Sequence, residues 1–151
     1  MFLFARVGSS VYNLLLILHI LTVIVAFAPA VVHPLVGRRL VAEDEGSMRR
    51  FSNATSINTR TVHLPALAAV GLLGFALVGV SGEFYKFTDP WVAISALLWL
   101  VIAGVIGAVV LPGERGLATG EAGAASKVQT GGGIATVLFL IVLCLMVVKP
   151  T

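Results

Sequence analysis

Three histidines and one cysteine are the side chains in this 151-residue chain whose chemistry is not set by charge alone. His19 lies within the apolar run Leu14 to Phe27, LLLILHILTVIVAF. An ionisable group deep in an apolar helix is costly unless it faces other helices and finds a partner, so its presence marks a functional position by default. Neutral imidazole is the usual ligand of b-type haem iron, one nitrogen on the metal and the other donating to an oxygen such as that of Thr22 or Ser95. The plainer alternative is a neutral histidine that bridges two helices by a hydrogen bond. His33 follows fourteen residues later, about 21 Å along a helix, so the two cannot share one iron. His63 opens the second apolar window at the level of His33. These two could meet at the membrane boundary and hold a metal or a headgroup, although two ligands without a third leave a site open. Ordinary interfacial histidines are the competing reading. Cys144 has no cysteine to pair with and reads as a small apolar packing residue.

Beyond these, little in the chain could do chemistry. There is no zinc-type Cys/His spacing, no glycine-rich phosphate loop followed by lysine and no nucleophile elbow. The expected function is therefore non-enzymatic.

Apolar windows must position the histidines. Only 11% of residues are charged, against the roughly 25% usual for soluble domains. A hydrocarbon core of about 30 Å takes roughly 20 apolar residues in a helix. Four windows qualify, at about Val11 to Val32, Leu64 to Gly82, Trp91 to Leu111, and 131–148, the continuously apolar part of the last beginning at Gly133. The expected fold is all-α: one polytopic domain over residues 1–151, a bundle of four transmembrane helices. Barrel strands would be shorter and would alternate in character. The first window ends in Ala26-Phe27-Ala28, a small-residue cleavage pattern, but Pro29 would sit directly after the cut and the run is long for a signal peptide. No acidic residue, lysine or arginine falls within the windows, which argues against a proton relay or a pump.

Punctuation agrees with the windows. Asp89-Pro90-Trp91 predicts a side-chain cap and an N1 proline at the start of the third helix, Pro112-Gly113 its end, and Lys149-Pro150 the end of the fourth. About 30 residues between the first two windows show no strong period and predict a loop with room for a short interfacial helix. The segment from Gly116 to Gly133 is rich enough in glycine and alanine to predict mobility. Arg38, Arg39, Arg49, Arg50, Arg60, Arg115 and Lys127 lie in the first and third loops, against Arg6, Lys86 and Lys149 on the other side. This asymmetry predicts cytoplasmic first and third loops and both termini outside. Tyr12, Tyr85, Phe87 and Trp91 fall near the outer interface, where amphipathic rings prefer to sit. The arginines, diluted by Glu43, Asp44 and Glu45, make no case for a nucleic-acid partner.

Small-xxx-small pairs let helix backbones approach closely. Ala103 with Gly107, Gly104 with Ala108, Gly131 with Ala135 and Gly132 with Thr136 are such pairs. They predict packing of the third and fourth helices within the bundle or against a partner. Trp91 and Trp99 fall towards one face, lipid-facing or part of such a contact.

The helix-one run, Gly37-Arg38-Arg39, Asp89-Pro90-Trp91, the stretch from Gly104 to Pro112 and the ending Met146-Val147-Val148-Lys149-Pro150 together resemble a bacterial family of four-helix integral membrane proteins of unknown function. The first helix, with its histidine followed by Ile-Leu and an aromatic eight residues on, is also similar to copper-resistance membrane proteins and the HemJ-type protoporphyrinogen oxidase. That resemblance implies haem ligation at His19 alone; the basic residues within the helices on which the oxidase depends have no counterpart here. The expectation is a small protein of the bacterial inner membrane, surrounded by lipid and other membrane subunits, acting as an accessory or assembly subunit. A haem-binding redox or sensing protein and a small permease or copper-handling protein are the alternatives.

Overall fold

The computed structural model describes residues 6–150. Six α-helices and two intervening π-turns make four long rods: α1 (Ser10–Glu43); α2 (Glu45–Asn58), a π-turn (Thr59–His63) and α3 (Leu64–Gly79); α4 (Pro90–Val105), a π-turn (Ile106–Val110) and α5 (Leu111–Thr119); and α6 (Ala124–Val148). Each rod contains a segment long and apolar enough to cross a membrane. At 1.5 Å per residue the 34 residues of α1 reach about 51 Å, well beyond a hydrocarbon core of about 30 Å. The bundle is thus a membrane-length half, where α1 packs on α3 and α4 on α6, continued by a more polar half in which α2 packs on α5.

The first loop expected from the sequence is not there. Asp44 alone, in extended conformation, separates α1 from α2 and serves both. Its N–H donates to the Leu40 carbonyl (3.3 Å), closing α1, while its carboxylate accepts from Ser47 N–H and Ser47 Oγ, both at 2.7 Å, opening α2. These bonds to Ser47 hold the Asp44 carboxyl below its ordinary range. Arg38, part of the basic cluster, has a side chain outside the described residues, as does Gly37.

Pro112 does not end the third rod. Prolines remove an amide donor and push on the carbonyl four residues back, and each π-turn lies directly before one, at Pro65 and Pro112. The amides of Leu64 and Leu111 accordingly bond five residues back, to the Thr59 and Ile106 carbonyls. The wider turn makes room for the ring and the helix continues. The segment from Gly116 to Gly133 is likewise helical except for a turn around Gly120 and Gly123, both with positive φ. At the start of α4, Pro90 occupies the first turn as expected, but Asp89 does not cap with its side chain. Its carboxylate instead accepts from Lys86 N–H (2.8 Å), closing the turn before the helix.

Ala26, Leu67, Val70, Ile102, Ala135 and Val142 form the buried apolar centre. Phe27 stacks on Phe139 beside it, ring centres 3.7 Å apart. The small-residue pairs divide between inside and outside. Gly131 and Ala135 are buried, and a Cβ at Gly131 would come within 2.9 Å of Val110, so this pair seats α6 against the second π-turn. Ala103 packs on the centre from α4. Around Gly104, Gly107 and Gly132 a Cβ would meet nothing, Ala108 is exposed, and the Thr136 hydroxyl bonds back to the Gly132 carbonyl (2.8 Å). Cys144, expected to pack, is exposed.

Candidate functional site

Polar groups collect in two places, one in each half of the bundle. The first is a cavity of about 190 Å³ in the membrane-length half, where α1, α3, α4 and α6 face one another. His19 from α1 and Ser95 from α4, at 6% and 5% exposure, are buried in its lining, which also includes Tyr12, Tyr85 and Lys149. The imidazole lies beside the backbone of Val70 on α3, and its Nδ1 has no hydrogen-bond partner. Neither partner proposed from the sequence is used. Thr22 donates instead to the Leu18 carbonyl (2.6 Å), and the Ser95 hydroxyl has no hydrogen bond.

A glycine adjoins this arrangement. In a helix the side chain at i+4 leans back over the carbonyl of residue i, shielding it from neighbours. Position 74, four after Val70, is glycine, and a Cβ there would stand 3.4 Å from His19 Cε1. The same device recurs one turn earlier. Trp99 Nε1 donates to the Leu67 carbonyl (2.8 Å), and position 71, four after Leu67, is a glycine whose Cβ would collide with the indole, lying 2.7 Å from Cη2. Trp99 and Trp91, read from the sequence as lipid-facing or as part of a contact, both line the cavity. At its mouth Lys149 donates to Tyr85 Oη (2.6 Å) and lies over the Tyr85 and Trp91 rings, at 4.6 and 5.9 Å from their centres.

The second place lies at the other end, around Glu114 of α5. The sequence reading put this residue in a loop past the third helix; continuation through the π-turn buries it to 2% exposure. His33 of α1 approaches it, Nδ1 to Oε1 3.5 Å, too long for a strong bond. Thr55 and Thr59 of the facing rod lie beside the carboxyl, but the Thr55 hydroxyl donates to the Ser52 carbonyl (3.0 Å), and neither Glu114 oxygen gains a hydrogen bond. Burial, reinforced by the charge that His63 carries when protonated, holds His33 below the ordinary imidazole range. A carboxyl and an imidazole so placed can share a proton.

His63 itself points back to α1. Its Nδ1 lies 2.9 Å from the Val25 carbonyl, which lacks its usual helical donor because position 29, four residues on, is proline. A neighbouring helix thus supplies the donor a proline removed, as apolar surroundings require. His33 and His63 do lie at the same end of the bundle, engaged with different oxygens. Among the described residues no three His, Cys, Asp or Glu side chains converge to hold a metal ion.

No protein-family model, curated protein or solved structure matches the chain. Its chemistry rests on the two clusters.

For haem the donor and the space disagree. His19 Nδ1 is buried without a hydrogen-bond partner, a setting that suits iron. A cavity of about 190 Å³ is only somewhat larger than the roughly 150 Å³ that accepts a benzene ring, and a tetrapyrrole does not fit it without parting the helices.

Proposed function

We propose that the protein is a non-enzymatic accessory or assembly subunit of a larger complex in the bacterial inner membrane, with both termini outside and the α1–α2 and α5–α6 connections in the cytoplasm. One observation carries the reading. Gly131 is filled by its own bundle, whereas Gly104 and Gly107 on the third rod open onto empty space beside exposed Ala108. Small residues on a lipid-facing helix let a second backbone approach closely, and association inside a membrane depends on such packing. Native mass spectrometry after gentle extraction is expected to find this chain with larger polypeptides, and Gly104→Ile to release them while leaving the bundle folded. Extraction that yields only copies of this chain overturns the proposal. The orientation rests on seven basic residues against three. In intact cells a membrane-impermeant thiol reagent is expected to label Lys86→Cys and to spare Ser47→Cys.

A second reading, a haem-binding redox or sensing protein, is favoured by the free nitrogen of His19 and opposed by the volume around it. It predicts a Soret band that disappears in His19→Ala. Colourless protein from haem-replete cells ends it.

A further inference from the structure

We infer that the cavity beside His19 is a binding site for a single neutral ring bearing a hydroxyl group: a phenol, or the ring of a lipid-borne quinol. The inference is independent of the outward face on which the subunit reading rests.

It begins with two buried polar atoms. His19 Nδ1 is buried without a partner, and in the neutral tautomer that carries its hydrogen on Nε2 it is an acceptor. Ser95 is unusual in a different way. Hydroxyls within helices ordinarily donate to the carbonyl four residues back, and Thr22, Thr61 and Thr136 all do so in this chain. Ser95 makes no such bond, nor any other, although it is 5% exposed. Leaving a buried polar group unpaired is destabilising, and here two of them line one cavity. A hydroxyl meets both needs together, donating to Nδ1 and accepting from Ser95. A carbonyl compound would answer only Ser95, and an ammonium group, having no lone pair, would answer only Nδ1.

The walls specify the rest of the ligand. Phe75, Trp91, Trp99 and Phe139 line a cavity whose surface is mostly apolar, its polar lining being His19, Ser95, Tyr12 and the Tyr85–Lys149 pair. Aromatic rings pack well against such walls, edge to face or offset. A volume of about 190 Å³ takes one substituted ring, given that roughly 150 Å³ takes benzene. Two lining residues, Phe75 and Leu143, are also exposed on the outer surface of the bundle, so a ligand dissolved in the membrane reaches the site from the side.

Fluorine NMR on the full chain in lipid nanodiscs tests this, with empty nanodiscs subtracting simple partition. The probes are para-fluorophenol, para-fluorotoluene and para-fluoroanisole. Phenol and toluene are matched in size, and anisole keeps the oxygen but loses the donor. The phenol is expected to bind saturably and about fivefold or more tighter than either analogue, as one net hydrogen bond implies. Ser95→Ala and His19→Leu are each expected to reduce that preference. The preference among probes is measured on the unaltered chain, so it stands whether or not His19→Leu folds. A hydroquinone with an isoprenoid tail that displaces the fluorophenol assigns the lipid-borne source; failure to displace assigns a free phenol. Equal binding of all three probes, or no saturable binding above the empty discs, overturns the inference and leaves an ordered water as the partner of Ser95 and His19.

Discussion

The two halves of the bundle face the same difficulty, polar side chains among apolar helices, and resolve it differently. Near the termini, Trp99 reaches into a neighbouring helix and bonds a carbonyl laid open by a glycine four residues on, and His19 packs against the same helix beside another glycine. At the arginine-rich end, Glu114 and His33 stand beside each other amid serines and threonines without a completed hydrogen bond. The first arrangement fixes geometry, since a ring that fits one glycine gap cannot shift far. The second fixes composition more than position, and it lies where α1 and α2 extend past the apolar spans. Rigidity sits with the cavity and chemical adaptability with the carboxyl.

Substitution at the two glycine gaps tests that contrast most strongly. Gly71→Ala is expected to displace the Trp99 indole and break its bond to Leu67, destabilising by about 2–4 kcal/mol from overpacking and the lost bond together. Gly74→Ala, whose new methyl would only touch His19, is expected to cost under about 1 kcal/mol. Unfolding in mixed detergent, followed by tryptophan emission, measures both. Equal effects at 71 and 74 would remove the distinction between a wedge and a contact.

At the arginine-rich end, truncation should matter more than loss of charge. Glu114→Ala leaves a void in a fully packed position and is expected to cost about 1–3 kcal/mol, whereas Glu114→Gln keeps the shape, supplies donors and stays within about 1 kcal/mol of the parent. A large loss in the Gln variant would mean that the carboxylate charge itself is structural.

Acidification acts on His33. Its folded pKa lies below the unfolded value of about 6.5, so the unfolded chain takes up the proton first. The contribution to stability is complete above that value and is lost as pH falls through the folded pKa. His33→Gln is expected to flatten this dependence between about pH 7 and 5. The opposite slope would indicate that an ion pair with Glu114 dominates burial.

The smallest effect is expected at the hairpin. Asp44→Ala removes the side-chain cap, and hydrogen exchange should quicken in the first turn of α2 while the cavity end is unchanged. Acid should act in the same direction on the parent, because a carboxyl held low contributes above its unfolded pKa and ceases to as pH falls through the folded one.

The four spans were legible because twenty consecutive apolar residues have one economical use in a membrane. The rod ends were not. Hydropathy falls after Val32 and rises again at Leu64, which reads as a loop, yet a helix becomes no less helical on leaving the apolar layer. The available signal was Asp44 followed three residues on by Ser47, a cap in the midst of a polar run. Glu114 was hidden by Pro112-Gly113, read as a stop. Proline is equally at home in the first turn of a helix, and the flanking Gly113 and Gly116, both buried, permit the close approach that encloses the carboxyl. His19 was found by its cost in an apolar run. Its setting was not, because neither the cavity nor the neighbouring helix that His19 packs against leaves a trace in the local sequence.

The two π-turns have a consequence for how this chain can change. Each adds one residue to a turn, and so rotates everything beyond it by about 100° relative to an uninterrupted α-helix. The face that α4 shows the cavity and the face of α5 that carries Glu114 are therefore set in separate angular frames, as are those of α3 and α2. A single-residue deletion within Ile106–Val110 would merge the frames of the third rod, turning Glu114 away from its present neighbours while leaving Ser95 where it stands. Between the two prolines and their wide turns, the protein holds two independently phased surfaces on each of its middle rods, and either can be re-aimed without redrawing the other.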